Sequence, residues 1–140
     1  MVRISELEIL KLLRKNARMS FVEMSKKLGV TEAAVRKKIK RMEKEGIILG
    51  YTVFANPKKI GYEIDALIGI DTTPEKMMSV MRILKKNSDV INMYASSGDH
   101  MLMIECWFKN HDELAKFINY LENLDGVTRV CPATILEKLK

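Results

Sequence analysis

The chain has 140 residues, of which 47% are hydrophobic and 30% charged, a length that suits one ordinary domain or two small ones. No apolar run approaches the ~18–20 residues of a membrane span, and the Glu-containing N-terminus does not read as a signal peptide. Cys106 and Cys131 stand apart, with no CxxC pair or Cys/His cluster, so they read as small core hydrophobes of a cytoplasmic protein rather than a disulfide or metal site.

The charge is unevenly placed. Residues 1–62 hold 15 Lys and Arg against 6 Asp and Glu, whereas residues 63–140 hold 9 against 12. A basic half joined to a mildly acidic half is expected when one domain meets a polyanion. A solvated basic face gives the same composition, and helix geometry has to separate the two.

Ser5-Glu6-Leu7-Glu8 is a capping-box pattern that opens a helix with apolar positions Leu7, Ile9, Leu10, Leu12 and Leu13, running to about Asn16. Ser20-Phe21-Val22-Glu23 opens a shorter one to Leu28, with Val22, Met24 and Leu28 inward. Gly29 supplies the left-handed residue that ends it, Val30 plugs the turn, and Thr31 caps a third helix that Gly46 stops. On that third helix Val35, Ile39 and Met42 form one narrow buried stripe. Ala33, Lys37, Lys40, Arg41 and Lys44 project from the other side, with Arg36 on the flank. Small residues let a helix approach base edges, and the cations neutralise phosphates. Ile47 to Phe54 alternates loosely, as a strand or wing would, so the first half reads as a winged helix-turn-helix.

Asn56-Pro57-Lys58-Lys59-Ile60-Gly61 is a connector rich in breakers. Beyond it the expected order is strand (64–71), helix (74–87), strand (90–97), a Gly98-Asp99 turn, strand (101–108), helix (111–124) and strand (about 127–137). Thr73-Pro74-Glu75 and Asn110-His111-Asp112-Glu113 supply helix starts, and Asp125-Gly126 ends the last helix. This βαββαβ order predicts a ferredoxin-like sheet with both helices on one face and an edge strand that tolerates Pro132. The fold class is α+β, with a DNA-binding domain over 1–50, a wing and connector over 51–61, and a second domain over 62–140.

The third strand is apolar on both sides: Leu102, Ile104, Cys106 and Phe108 alternate with Met101, Met103 and Trp107, and only Glu105 is polar. Leu67 on the first strand joins the second side. A second apolar face calls for a cover, and another copy of the chain is the economical one, with Leu67, Met101, Met103 and Trp107 at the contact. An unusually apolar monomer surface is the alternative.

Together these residues resemble the Lrp/AsnC family of feast/famine transcription regulators over essentially the whole chain. The resemblance rests on Thr31…Val35…Lys38-Ile39…Met42…Gly46-Ile47-Ile48, on Gly50-Tyr51-Thr52 with Asn56-Pro57…Gly61-Tyr62, and on Ser97-Gly98-Asp99. It implies DNA binding through Thr31, Ala33, Arg36, Lys37, Lys40, Arg41 and Lys44. It also implies dimers or higher even assemblies through the sheet, and a small molecule, commonly an amino acid, bound near Gly98, Asp99 and His100. The sequence departs from the family pattern in placing Arg3 and Glu6 before the first helix core, Met101 where the turn usually has a second aspartate, and Val130 and Pro132 where threonines are usual.

Asp99 has two readings, a ligand carboxylate for an ammonium group and an ordinary hairpin-turn residue; His100 and His111 read as loop and first-turn residues rather than catalytic groups. No Ser/His/Asp set, metal cluster, P-loop or dinucleotide glycine motif is legible, so no cofactor is expected and the chain does not read as an enzyme. A nucleoid-organising protein of little sequence preference, or a decarboxylase of similar two-domain architecture, are the other functions such a chain could serve.

Overall fold

A computed structural model of the chain describes residues 3–140; residues 1 and 2, the start of the expected first domain, lie outside the described residues. It divides into two units, residues 1–54 and 55–140.

The first unit holds α1 (Glu6–Lys15), α2 (Phe21–Leu28) and α3 (Glu32–Lys44). Each starts where its cap dictates: the hydroxyls of Ser5, Ser20 and Thr31 accept from the backbone N–H groups of Glu8, Glu23 and Ala34 at 3.3, 3.1 and 3.1 Å. Gly46, at φ 75°, ends α3 in a Schellman motif, with Ile47 N–H donating to the Met42 carbonyl and Gly46 N–H to that of Glu43. Ile9, Met24, Val35, Ile39, Met42 and Ile48 form the core of the unit. Val22, expected inward, is instead 46% exposed, and Leu7, one of the apolar positions of the first helix, is 60% exposed. A three-helix core this small uses only the innermost stripe of each short helix.

The expected wing strand is absent. Residues 49–54 form no regular element and pair with no strand, and Leu49 is 95% and Val53 82% exposed. A strand needs a ladder partner, and Asn56-Pro57 breaks the chain before a second strand can return; Pro57–Ile60 instead forms a 3-10 turn capped by Asn56.

The second unit carries β1 (Ile64–Thr72), α4 (Met77–Lys85), β2 (Val90–Ala95), β3 (Leu102–Phe108), α5 (His111–Glu122) and β4 (Val127–Thr134). The sheet is antiparallel in the order β2-β3-β1-β4, so β4 with Pro132 lies at an edge. Ala66, Ile68 and Ile70 of β1 and Leu102, Ile104 and Cys106 of β3 pack against Val80 and Leu84 of α4 and Phe117 and Leu121 of α5, which places both helices on one face. The Asn110 side chain caps α5, and Glu113 reaches back to the Lys109 N–H at 2.8 Å, completing a capping box. Thr73 does not cap: its hydroxyl is buried without a partner, and Pro74–Lys76 forms a 3-10 turn before α4. The last helix ends at Asn123, whose side chain bonds the Asn119 carbonyl, three residues before Gly126.

Candidate DNA-reading face and ligand cluster

Burial of Val35, Ile39 and Met42 at 2% exposure or less fixes the rotation of α3. Thr31, Ala33, Arg36, Lys37, Lys40, Arg41 and Lys44 are all exposed as a result. The cations are not equivalent. Lys37, Lys40 and Lys44 have no ion-pair or hydrogen-bond partner among the described residues. Arg36 bonds Glu32 at 2.8 Å and lies 5.3 Å from the centroid of the Phe21 ring. Arg41 reaches Glu6 at 3.3 Å and Glu45 at 3.6 Å. Exposed pairs of this kind are worth only about 0–1 kcal/mol, so a phosphate can compete for either arginine. Glu6 also accepts from the inner Lys38 at 3.2 Å, and Lys38 first, with Arg41, holds its carboxyl below the ordinary value. This carboxylate ties α1 to α3.

At one end of the sheet, the turn between β2 and β3 is closed by Ser96 N–H on the Met101 carbonyl (2.9 Å) and Ser96 Oγ on the His100 carbonyl (2.7 Å). Gly98 takes φ 123° there, a conformation that favours glycine. Asp99 is thus a turn residue, but its carboxylate is also engaged. Arg129 of β4 donates through Nη2 to Asp99 Oδ1 at 3.0 Å and through Nε to Asp71 Oδ2 at 2.7 Å. Asp71 Oδ1 accepts from the Met101 N–H at 3.0 Å, and the His100 ring lies 3.1 Å from Asp71 and 3.3 Å from Asp99. Arg129, then His100 and the Met101 amide, pull the Asp71 carboxyl down to about 2 against the opposing effect of burial, and both carboxylates raise Arg129.

Asp71 and Arg129 were not singled out from sequence. They face each other as direct cross-strand partners, a relation that becomes legible once the β1–β4 register is known. Gly69 completes the cluster: a Cβ there would collide with the His100 ring, so the ring rests against bare backbone. Met101 precedes β3, and its sulfur accepts from the Thr72 N–H at 3.5 Å.

The outer face of the sheet carries Leu67, Met103 and Trp107, all half-buried, as the alternation requires. It also carries a feature that strand patterning passed over. Asp65 lies diagonal to Glu105, one of its oxygens is buried without a partner, and so is the indole nitrogen of Trp107. Burial, reinforced by Glu105, pushes the Asp65 carboxyl up to about 7. Asn92 bonds Glu105 at 2.8 Å.

A helix-turn-helix with a cationic outer face, joined to a helix-backed four-stranded sheet, is the architecture of a DNA-binding regulator with an accessory domain. Residues 3–48 match the family described as winged helix-turn-helix DNA-binding, and residues 65–140 match the Lrp/AsnC ligand binding domain. The chain belongs to the Lrp/AsnC family of DNA-binding transcriptional regulators. It is 51% identical over 133 residues to the HTH-type transcriptional regulator LrpA of Pyrococcus horikoshii, covering 94% of each chain. Escherichia coli AsnC superposes with a TM-score of 0.78 at 25% identity, over 99% of this chain and 96% of that one. The transcriptional regulator NMB0573 of Neisseria meningitidis, solved as an L-Met complex, shares the fold with a TM-score of 0.84 at 19% identity, over 100% and 93% of the two chains. Among the described residues no helix is long and apolar enough to cross a membrane.

Proposed function

We propose that this regulator docks α3 in the DNA major groove as a dimer, with the outer sheet face joining two copies and the Gly98–His100 turn serving as the effector site. On this reading residues 1–50 contact DNA, and the domain from 62 onward assembles and senses. The observation that carries it is the set of three unpaired ammonium groups, Lys37, Lys40 and Lys44, on the side of α3 opposite its buried stripe. Two helices per dimer offer six such groups to phosphates. Each neutralised phosphate contributes about 0.9 to the slope of log affinity on log salt.

Lys37→Ala/Lys40→Ala/Lys44→Ala therefore flattens that slope by about 5 and abolishes operator binding at 200 mM salt, with an unchanged thermal melt. An operator chosen from a random DNA pool is the probe, and fluorescence anisotropy the measurement. Wild-type affinity and slope in that variant would sink the assignment. Selection of one dominant sequence from the pool supports a site-specific regulator; enrichment of none favours a nucleoid organiser.

The Asp71–Arg129–Asp99 cluster offers two carboxylates and a guanidinium, which complement the ammonium and carboxylate of an amino acid such as the L-Met bound by the Neisseria protein. A ligand there has to displace Arg129 from Asp99. That internal pairing favours a weak effector or none, and calorimetry with the twenty amino acids on wild type and Asp99→Ala separates the two. Because the turn lies far from α3 in sequence, an effector acts by shifting the balance of assemblies that it binds unequally.

A further inference from the structure

The first unit has a second cationic surface, on the side of α1 that its core does not use. Ile9 is fully buried in one cluster with Val35, Ile39 and Met42 of α3, which fixes the rotation of α1. At ~100° per residue, Lys11, Arg14 and Lys15 then fall within about 60° of the direction opposite Ile9, and all three are exposed. Arg18 is exposed in the turn that follows, where its backbone N–H donates to the Asn16 side chain at 3.0 Å. None of these four side chains has an ion-pair or hydrogen-bond partner among the described residues.

Two carboxylates stand near them in the chain. Glu8 lies one turn before Lys11 and Glu23 on the first turn of α2, and neither pairs with any of the four. The other carboxylate of α1, Glu6, is turned toward α3, where Lys38 and Arg41 hold it. The helix dipole favours Arg14 and Lys15 in the last turn. It does not account for Lys11 in mid-helix, one turn from both and repelled by both.

Because α1 and α3 share one core, their outward faces lie on different sides of the unit. Helices ~10–12 Å across, with axes ~8–10 Å apart, separate those faces by about 20 Å, roughly twice the ~10 Å screening length of 0.1 M salt. Phosphates held by Lys37, Lys40 and Lys44 therefore leave the α1 cations uncompensated.

We propose that the outward face of α1, with Lys11, Arg14, Lys15 and Arg18, grips the phosphate backbone of a second DNA duplex, so that the regulator bridges two segments. The inference rests on the docking of α3 in the first duplex proposed above. With four phosphates neutralised, the grip on the second duplex weakens roughly 150-fold between 50 and 200 mM salt.

Beads carrying an operator duplex are loaded with full-length protein, washed, and offered a fluorescent duplex of unrelated sequence. Expected are capture by wild type at ~50 mM salt and its loss by ~200 mM. Lys11→Ala/Arg14→Ala/Lys15→Ala/Arg18→Ala should keep operator affinity within about two-fold by anisotropy, since its sites lie beyond the screening length of α3, yet capture at least ten-fold less. The four glutamine substitutions replace the alanines if those lower the thermal melt. Lys37→Ala/Lys40→Ala/Lys44→Ala reports separately on the docking of α3. Its residual binding of free duplex at ~50 mM salt should vanish when the α1 substitutions are added, which reads the α1 face without α3. Undiminished capture by the α1 variant would overturn the proposal, by assigning the bridge to the two α3 helices of a dimer. An equal loss of operator affinity would merge α1 with the reading surface, and no capture by wild type would leave α1 a solvated face; either result overturns the proposal as well.

Discussion

Asp65→Asn tests whether the outer sheet face is a dimer contact. Asp65 is already pushed up to about 7 by burial and by Glu105, the charged neighbour that acts on it, and Glu105 is itself held by Asn92. Among the described residues no cation pairs with Asp65. A second copy laid over this face removes more water and raises the carboxyl further, so the dimer forms with Asp65 protonated, one proton per subunit and two per dimer. Above pH ~7 the dimer binds more protons than the separated subunits, and association weakens as pH rises. Linkage then gives a dimer dissociation constant that climbs by up to about 100-fold per pH unit above 7 and is flat below pH ~6. Asp65→Asn removes the slope and tightens the dimer at pH ~8. Sedimentation equilibrium between pH ~6 and ~8.5 measures both. A wild-type constant independent of pH, or an unchanged slope in Asp65→Asn, would refute the reasoning.

Two further outcomes concern the turn cluster. Arg129→Ala releases the Asp71 carboxyl from about 2 toward the ordinary 3.8, as titration by NMR would register. Because the native value is depressed, the stability linked to Asp71 is present above pH ~4 and is lost as pH falls through ~2. The gap in stability between wild type and Arg129→Ala should therefore close over that interval, and a constant gap in acid unfolding curves would assign it to another cause. Gly69→Ala forces the His100 ring aside and should cost about 1–3 kcal/mol in denaturant unfolding, as overpacking does. A neutral effect would mean that the ring swings freely.

The helix starts were legible because they are local: Ser5, Ser20, Thr31 and Asn110 each cap a helix that begins one residue later. The exposed cationic face of α3 was legible for a related reason, since three apolar residues at helical spacing fix the direction of every other side chain on the helix. What local pattern could not supply was partnership. Alternation in residues 47–54 suggested a strand, yet a strand exists only with a neighbour. Leu7 and Val22 are apolar residues that a small three-helix core has no room to cover. Thr73 has the right hydroxyl, but a 3-10 turn follows it in place of a regular first helical turn. The Asp71–Arg129 pair lies 58 residues apart in sequence and depends on register. The same holds for Asp65 and Glu105, each an ordinary charged residue until the sheet places them side by side.

The shared carboxylate of Glu6 gives α3 a quality that a list of DNA contacts would miss. One of its two cations, Lys38, is only 14% exposed, while the other, Arg41, is 53% exposed. On the docking proposed above, a backbone phosphate that takes Arg41 leaves the inner bond in place, so the helix would yield a cation to DNA without releasing its brace on α1. Docking then works like ligand exchange at a centre with one labile and one inert position: the outer partner turns over and the scaffold does not. A protein that must leave one site and find another along a duplex gains from that division, because each exchange begins and ends with the same rigid helix.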